Sequence, residues 1–138
     1  MAGVILAAPA KLNLRLLVGP RAADGYHPVT TLMVALDGLA DRVHLTRAPA
    51  RRVDCPGAEG PDNLAWRALD ALEAAVARPL PPLAVRIDKR IPAQSGLGGG
   101  SSDAAAVLVG ADMLLGLGLG PAALERIGAA VGSDVPFS

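Results

Sequence analysis

The residues best suited to chemistry form one short run, Gly96-Leu97-Gly98-Gly99-Gly100-Ser101-Ser102, immediately before a long apolar stretch. If that stretch is a helix, its first N–H groups have no intrahelical partner and its dipole places partial positive charge at the run. Glycines let backbone amides approach phosphate oxygens with no Cβ in the way, and Ser101 and Ser102 add hydroxyl donors. The run therefore predicts a phosphate-binding loop that needs no lysine. It is not a Walker A loop, because no Gly-Lys-Ser/Thr follows. Nor is it the dinucleotide fingerprint: counted from Gly96, the sixth position is Ser101, and the region some 20 residues on, 116–120, carries no acidic residue. A flexible Gly/Ser linker is the competing reading. A strand ending just before the run and a helix starting at once after it argue against that.

Three further places carry reactive side chains. Lys11 and Asn13 alternate with leucines in Lys11-Leu12-Asn13-Leu14-Arg15-Leu16, so they share one face of a half-buried strand and together could hold a polar ligand. Taken singly, a lysine there is a surface charge. Asp134 lies in Gly132-Ser133-Asp134-Val135-Pro136, where the bland reading is a turn or capping aspartate. Tyr26 and His27 follow the turn pair Asp24-Gly25 and offer an aromatic face and an imidazole edge to a base.

These residues must be positioned by the surrounding elements. Residues 3–18 read as two short strands, or as one bent strand broken near Pro9, since proline cannot donate to a ladder. Residues 29–36 read as a strand, with weaker strands at 41–46 and 51–54. Asp62 or Asn63 caps a helix running to about Ala77, with Ala65, Leu69, Leu72 and Val76 on one face. Alternation predicts a strand at 83–89. The stretch after the glycine run predicts a helix over 102–115, broken by Gly116, Gly118 and Gly120. Pro121 then opens a last helix with Leu124, Ile127 and Val131 inward, closed by Gly132. Strands come first and helices follow with one strand among them, so the fold class is α+β.

Composition narrows the function. The chain has 138 residues, enough for one domain with a core. Tyr26, Trp66 and Phe137 are its only aromatic residues, so that core must be built from Ala, Val, Leu and Ile. Thirteen basic residues balance thirteen acidic ones, which leaves no broad positive field for a nucleic-acid backbone. The single cysteine, Cys55, allows no intrachain disulfide, and neither it nor His27 or His44 has metal-ligand spacing. No basic residue precedes the short apolar start, which Lys11 interrupts, so a signal peptide is not expected. No segment approaches the roughly 20 apolar residues of a membrane span, and the expected location is the cytoplasm. The apolar run at 135–137 reads as the start of another strand, so the chain is expected to be part of a longer protein.

Together these pieces resemble the GHMP family of small-molecule kinases. Pro92 to Ser102 is similar to that family's phosphate motif, Pro-x-x-x-Gly-Leu-Gly-x-x-Ser-Ser/Ala. The segments at 10–14, 21–27, 62–64, 87–92 and 132–136 narrow the resemblance to the members that phosphorylate a cytidine-diphosphate sugar alcohol on the non-mevalonate route to isoprenoid precursors. The resemblance implies a two-layer α+β domain, a mixed sheet covered by helices and related to a ribosomal-protein fold with an uncommon left-handed crossover. It implies that 1–138 is the N-terminal, ATP-binding domain and that the family's C-terminal domain is missing from this chain. It also implies roles: Lys11 and Asp134 as the catalytic pair, with Asn13, Tyr26 and His27 at the substrate. Asn63, Leu64 and Lys89 would line the adenine pocket, and Pro92 with Gly96, Leu97, Gly98, Gly99, Gly100, Ser101 and Ser102 would wrap the ATP phosphates. Magnesium is expected with ATP, with no ligand assigned. The alternatives are another GHMP kinase, of homoserine or mevalonate type, and a non-catalytic module binding nucleotide or RNA.

Overall fold

The structure is a computed structural model that describes residues 3–17, 29–56, 63–91, 99–132 and 135. Four strands and three helices follow in the order β1 (Gly3–Leu17), β2 (Val29–Arg47), β3 (Arg52–Asp54), α1 (Leu64–Val76), β4 (Leu83–Asp88), α2 (Gly99–Leu115) and α3 (Pro121–Val131). The strands lie in the order β1-β2-β4-β3. The β1–β2 and β2–β4 pairs are antiparallel and β3–β4 is parallel, so the sheet is mixed as expected. The parallel pair is connected through α1, the longer crossover that such pairing requires.

Strand alternation decides which side is covered. Ala8 and Ala10 of β1, Val43 and Leu45 of β2, and Leu83, Val85 and Ile87 of β4 are buried. Between them Ile5, Arg42, Thr46, Arg86 and Asp88 are exposed. The buried face packs against α2; α1 lies beside α2, its Asp70 and Glu73 paired with Arg51 next to β3, and α3 contacts both other helices. Among the described residues the core is built from Ala, Val, Leu and Ile with Cys55, as the scarcity of aromatics demands. Close approach replaces bulk. At Gly110 of α2 a Cβ would lie 2.7 Å from Leu45 Cδ1 and 2.8 Å from Leu6 Cδ1.

The first strand is the bent alternative, not two strands. Its pairing with β2 shifts between Pro9, opposite Ala40, and Lys11, opposite Ala35. Ala10 thus faces the whole bulge at 36–39, where Gly38 takes a φ of 79°. The separate strands expected at 29–36 and 41–46 are accordingly one strand. Gly38 supplies the left-handed conformation, and Pro9 has no N–H to lose from the interrupted ladder.

The first helix matches its expected span. Asn63 Oδ1 accepts from Ala65 N at 2.7 Å, and Ala77 ends the helix in the left-handed region at φ 56°. Val76, expected inward, is only half-buried, whereas Ala68 is fully buried. The expected start of the second helix is corrected. It begins at Gly99, three residues before Ser102, so the last glycines and both serines form its first turn. That turn needs no intrahelical N–H bonds, which lowers the usual penalty for glycine. Gly116, Gly118 and Gly120, all at positive φ, end the helix and lead to Pro121. Ile127 and Val131 of α3 are buried and Leu124 partly so.

Candidate nucleotide site

The site is built around the N-terminus of α2. Gly100 is exposed, and a Cβ placed on it would lie 3.4 Å from Leu64 Cδ1. Leu64 is the first residue of α1, and Asn63 is that helix's cap. Two segments separated by more than thirty positions in the chain, each expected at a nucleotide, therefore meet at one place. Two helix N-termini converge there, and both present backbone N–H groups and positive dipole ends.

The two serines differ. Ser101 is half-buried, whereas Ser102 is buried and its Oγ donates to the Pro9 carbonyl at 2.6 Å. The hydroxyl expected to add a donor to the cradle instead fastens the first turn of α2 to the bend in β1. That bond lies two residues before Lys11. Lys11 and Asn13 follow in β1, paired with Ala35 and Met33 of β2. Their side chains lie outside the described ones, and Tyr26, His27, Pro92, Gly96, Leu97, Gly98 and Asp134 lie outside the described residues. Gly132 and Val135, on either side of Asp134, are joined by a bond from Val135 N to Gly132 O at 3.2 Å.

Lys89, expected at the adenine, is held by two carboxyl groups. Its Nζ donates to Asp41 Oδ2 at 2.7 Å and to Asp103 Oδ2 at 3.2 Å. Asp41 is wholly buried, and its Oδ1 also accepts from Arg90 N at 2.7 Å and Ile91 N at 2.8 Å. Burial alone would raise the Asp41 pKa, but hydrogen bonds from Asp103, the two amides and Lys89 outweigh it and hold it below the usual value. Burial pushes Asp103 up to about 8; Asp41 adds to the rise and Lys89 opposes it. Burial would lower Lys89, yet the two carboxyls hold it above its ordinary value. At neutral pH the Lys89–Asp103 contact is thus an ammonium donating to a neutral acid, and the three groups balance in charge. The other oxygen of Asp103, Oδ1, is buried with no hydrogen-bond partner.

Neither Asp41 nor Asp103 was singled out from the sequence. Asp41 did carry a signal: it shares the inward parity of Val43 and Leu45, and a carboxylate there must find partners. Asp103 gave less, because an acidic residue near a helix start reads as a dipole partner. Buried Cys55, after β3, lies close enough to feel Lys89, Asp103 and Asp41, and burial pushes its thiol up. His44 sits on β2 as expected and bonds Asp88 at 2.9 Å. Arg51 pairs with Asp70 and Glu73 and lies over the Trp66 ring.

The chain matches known proteins along almost its full length. It is 48% identical over 143 aligned positions to a Geobacter sulfurreducens protein named 4-diphosphocytidyl-2-C-methyl-D-erythritol kinase, covering 99% of this chain and 50% of that protein. A Geobacter metallireducens protein of the same name is 46% identical, with 99% and 50% covered. A crystal structure of 4-(cytidine 5'-diphospho)-2C-methyl-D-erythritol kinase superposes with a TM-score of 0.74 at 38% identity, over 97% of this chain and 48% of that one. The chain thus spans about half the length of the relatives it matches. Residues 63–138, which include both helix N-termini of the site, match the model described as GHMP kinases N terminal domain, and the chain belongs to that family.

Proposed function

We propose that this chain is the nucleotide-binding half of a kinase that transfers the γ-phosphoryl group of ATP to a hydroxyl of 4-diphosphocytidyl-2-C-methyl-D-erythritol, giving the 2-phosphate for isoprenoid precursors. The observation that carries the reading is the meeting of Gly100, at the N-terminus of α2, with Leu64, at the N-terminus of α1. A triphosphate fits such a place because amides and dipoles act on its charge with no covalent chemistry required. The names of the relatives supply the acceptor.

Phosphoryl transfer depends on positioning and charge neutralisation. In this reading the glycine run holds the phosphates. Asp134 takes the proton of the acceptor hydroxyl, and Lys11 favours the developing alkoxide while lowering the basicity of Asp134. Asn13 positions that pair, Tyr26 stacks on the cytosine, and His27 hydrogen-bonds it. Magnesium accompanies ATP, but the described acidic residues at the loop do not fit a site for it. Asp41 and Asp103 face the Lys89 ammonium, which repels a dication, and no group of three His, Cys, Asp or Glu is assembled among the described residues. The reaction is placed in the cytoplasm; no described helix is long and apolar enough to cross a membrane.

The test uses the full-length protein, with ATP consumption measured against the cytidine-diphosphate alcohol, homoserine and mevalonate. Turnover is expected with the first alone. Asp134→Asn is expected to leave ATP binding intact and abolish turnover; near-normal turnover would overturn the assignment. Tight binding of single-stranded RNA with no ATP heat in calorimetry would favour a non-catalytic module.

A further inference from the structure

The glycine run has two described flanks, Ile91 and Gly99, and one small group of charges reaches both sides. On the near side, Asp41 binds Lys89 through its ammonium and Arg90 and Ile91 through their amides, so a single side chain on β2 holds three consecutive residues leaving β4. On the far side, Asp103, the fifth residue of α2, meets the same ammonium. The Ser102 hydroxyl fastens that end of the helix to Pro9 of β1.

We propose that Asp41, Lys89 and Asp103 form a clasp that sets the separation between the two ends of the glycine run, which makes them positioning residues for its phosphate ligand. The inference rests on the kinase reading above. It differs from the role the family resemblance implies for Lys89, which is direct contact with the nucleotide.

A buried ion cluster is a poor way to add stability, since well-packed apolar groups do as well or better. This cluster does something apolar groups cannot. It gives partners to the Arg90 and Ile91 amides where the chain leaves the sheet, and it does so from the one strand that runs beside β4 at that point, with Arg42 opposite Asp88. Lys89 then joins segments from positions 41, 89 and 103 where they flank this loop.

The test is a set of substitutions in the full-length protein, with a non-hydrolysable ATP analogue as the probe in calorimetry. Lys89→Met leaves Asp41 as a buried, uncompensated anion. Affinity is expected to fall by about tenfold or more, as coupled partners in one network do. Asp103→Leu removes the far arm of the clasp and leaves Lys89 bonded to Asp41. It is expected to weaken binding by a similar factor, and the Lys89→Met/Asp103→Leu double variant is expected to be no weaker than Lys89→Met to within about threefold, because both substitutions break one link. If Lys89 instead touches the nucleotide, Asp103→Leu alone leaves affinity within about threefold of the unaltered protein, and that result overturns the clasp. Thermal unfolding of the ligand-free variants separates positioning from stability: affinity losses that merely follow the fall in melting temperature also overturn it. Failure of the unaltered full-length protein to take up any nucleotide overturns the kinase reading, a result distinct from either of these.

Discussion

Asp103 makes a sharp prediction because its proton is held by burial. Its carboxyl titrates at about 8 in the folded chain, against 3.8 for an ordinary aspartate, with 5% of the side chain accessible. An acid whose folded pKa is raised contributes stability that is full below its unfolded value and is lost as pH rises towards the folded one. Between pH 5 and 7 the unfolded chain has released this proton and the native chain keeps it. One proton of difference corresponds to about 1.4 kcal/mol per pH unit, so the contribution of Asp103 falls by about 2.7 kcal/mol across that window. Its neighbours do not mask the effect. Asp41 is depressed below 3.8, so its stabilisation is complete by pH 5 and disappears only on acidification. Lys89 is raised above 10.5 and Cys55 above 9.0, so neither changes state. The perturbation is Asp103→Asn, which imitates the neutral acid at every pH. The assay is urea unfolding at pH 5, 6 and 7, followed by fluorescence of Trp66, the only tryptophan. The stability difference between the two proteins should change by about 2–3 kcal/mol from pH 5 to 7, in the direction of a relative loss for the unaltered chain as pH rises. A difference that stays constant to within about 0.5 kcal/mol would refute the reasoning and make Asp103 an ordinary ionised partner of Lys89.

Two substitutions probe the packing that holds the site. Gly110→Ala would gain about 1 kcal/mol of helix propensity elsewhere, but here the added methyl meets Leu45 and Leu6 at under 3 Å. Overpacking of about 1–3 kcal/mol should prevail, and urea denaturation should show net destabilisation. Ala77 ends α1 at φ 56°, a conformation that penalises any Cβ. Ala77→Gly should therefore stabilise by about 0.5–1 kcal/mol, a modest rise in the thermal midpoint, despite the greater freedom of glycine in the unfolded chain.

The parts of this molecule that were legible in its sequence are those decided by neighbours in the chain. Asn63 before an apolar periodicity predicts a cap, and its Oδ1 binds the Ala65 amide. Alternation in 83–89 places Leu83, Val85 and Ile87 inward, and they are buried. The bulge at 36–39 was not legible, because Asp37-Gly38 reads as a turn ending one strand and beginning another. Only pairing with Pro9 and Lys11 on β1 shows a single strand with an irregularity. The first turn of α2 was hidden for a related reason: glycine lowers helix propensity, and propensity does not register that Ser102 is fastened to Pro9.

The candidate site divides along the same line. A glycine run before a helix is a local pattern, and its capacity for phosphate follows from backbone amides alone. Lys89 is also visible, as the end of an alternating strand, but its setting is not. Whether that ammonium faces a nucleotide or a pair of carboxyls depends on Asp41 lying on the strand next to β4, a consequence of the β1-β2-β4-β3 order, and on α2 packing over the sheet. Burial then decides the chemistry. Beside a second carboxyl and away from water, Asp103 keeps its proton at neutral pH, and Lys89 is left with one full counter-charge. A residue type at a motif position thus names a candidate, and the strands packed around it determine whether its charge is free for a ligand.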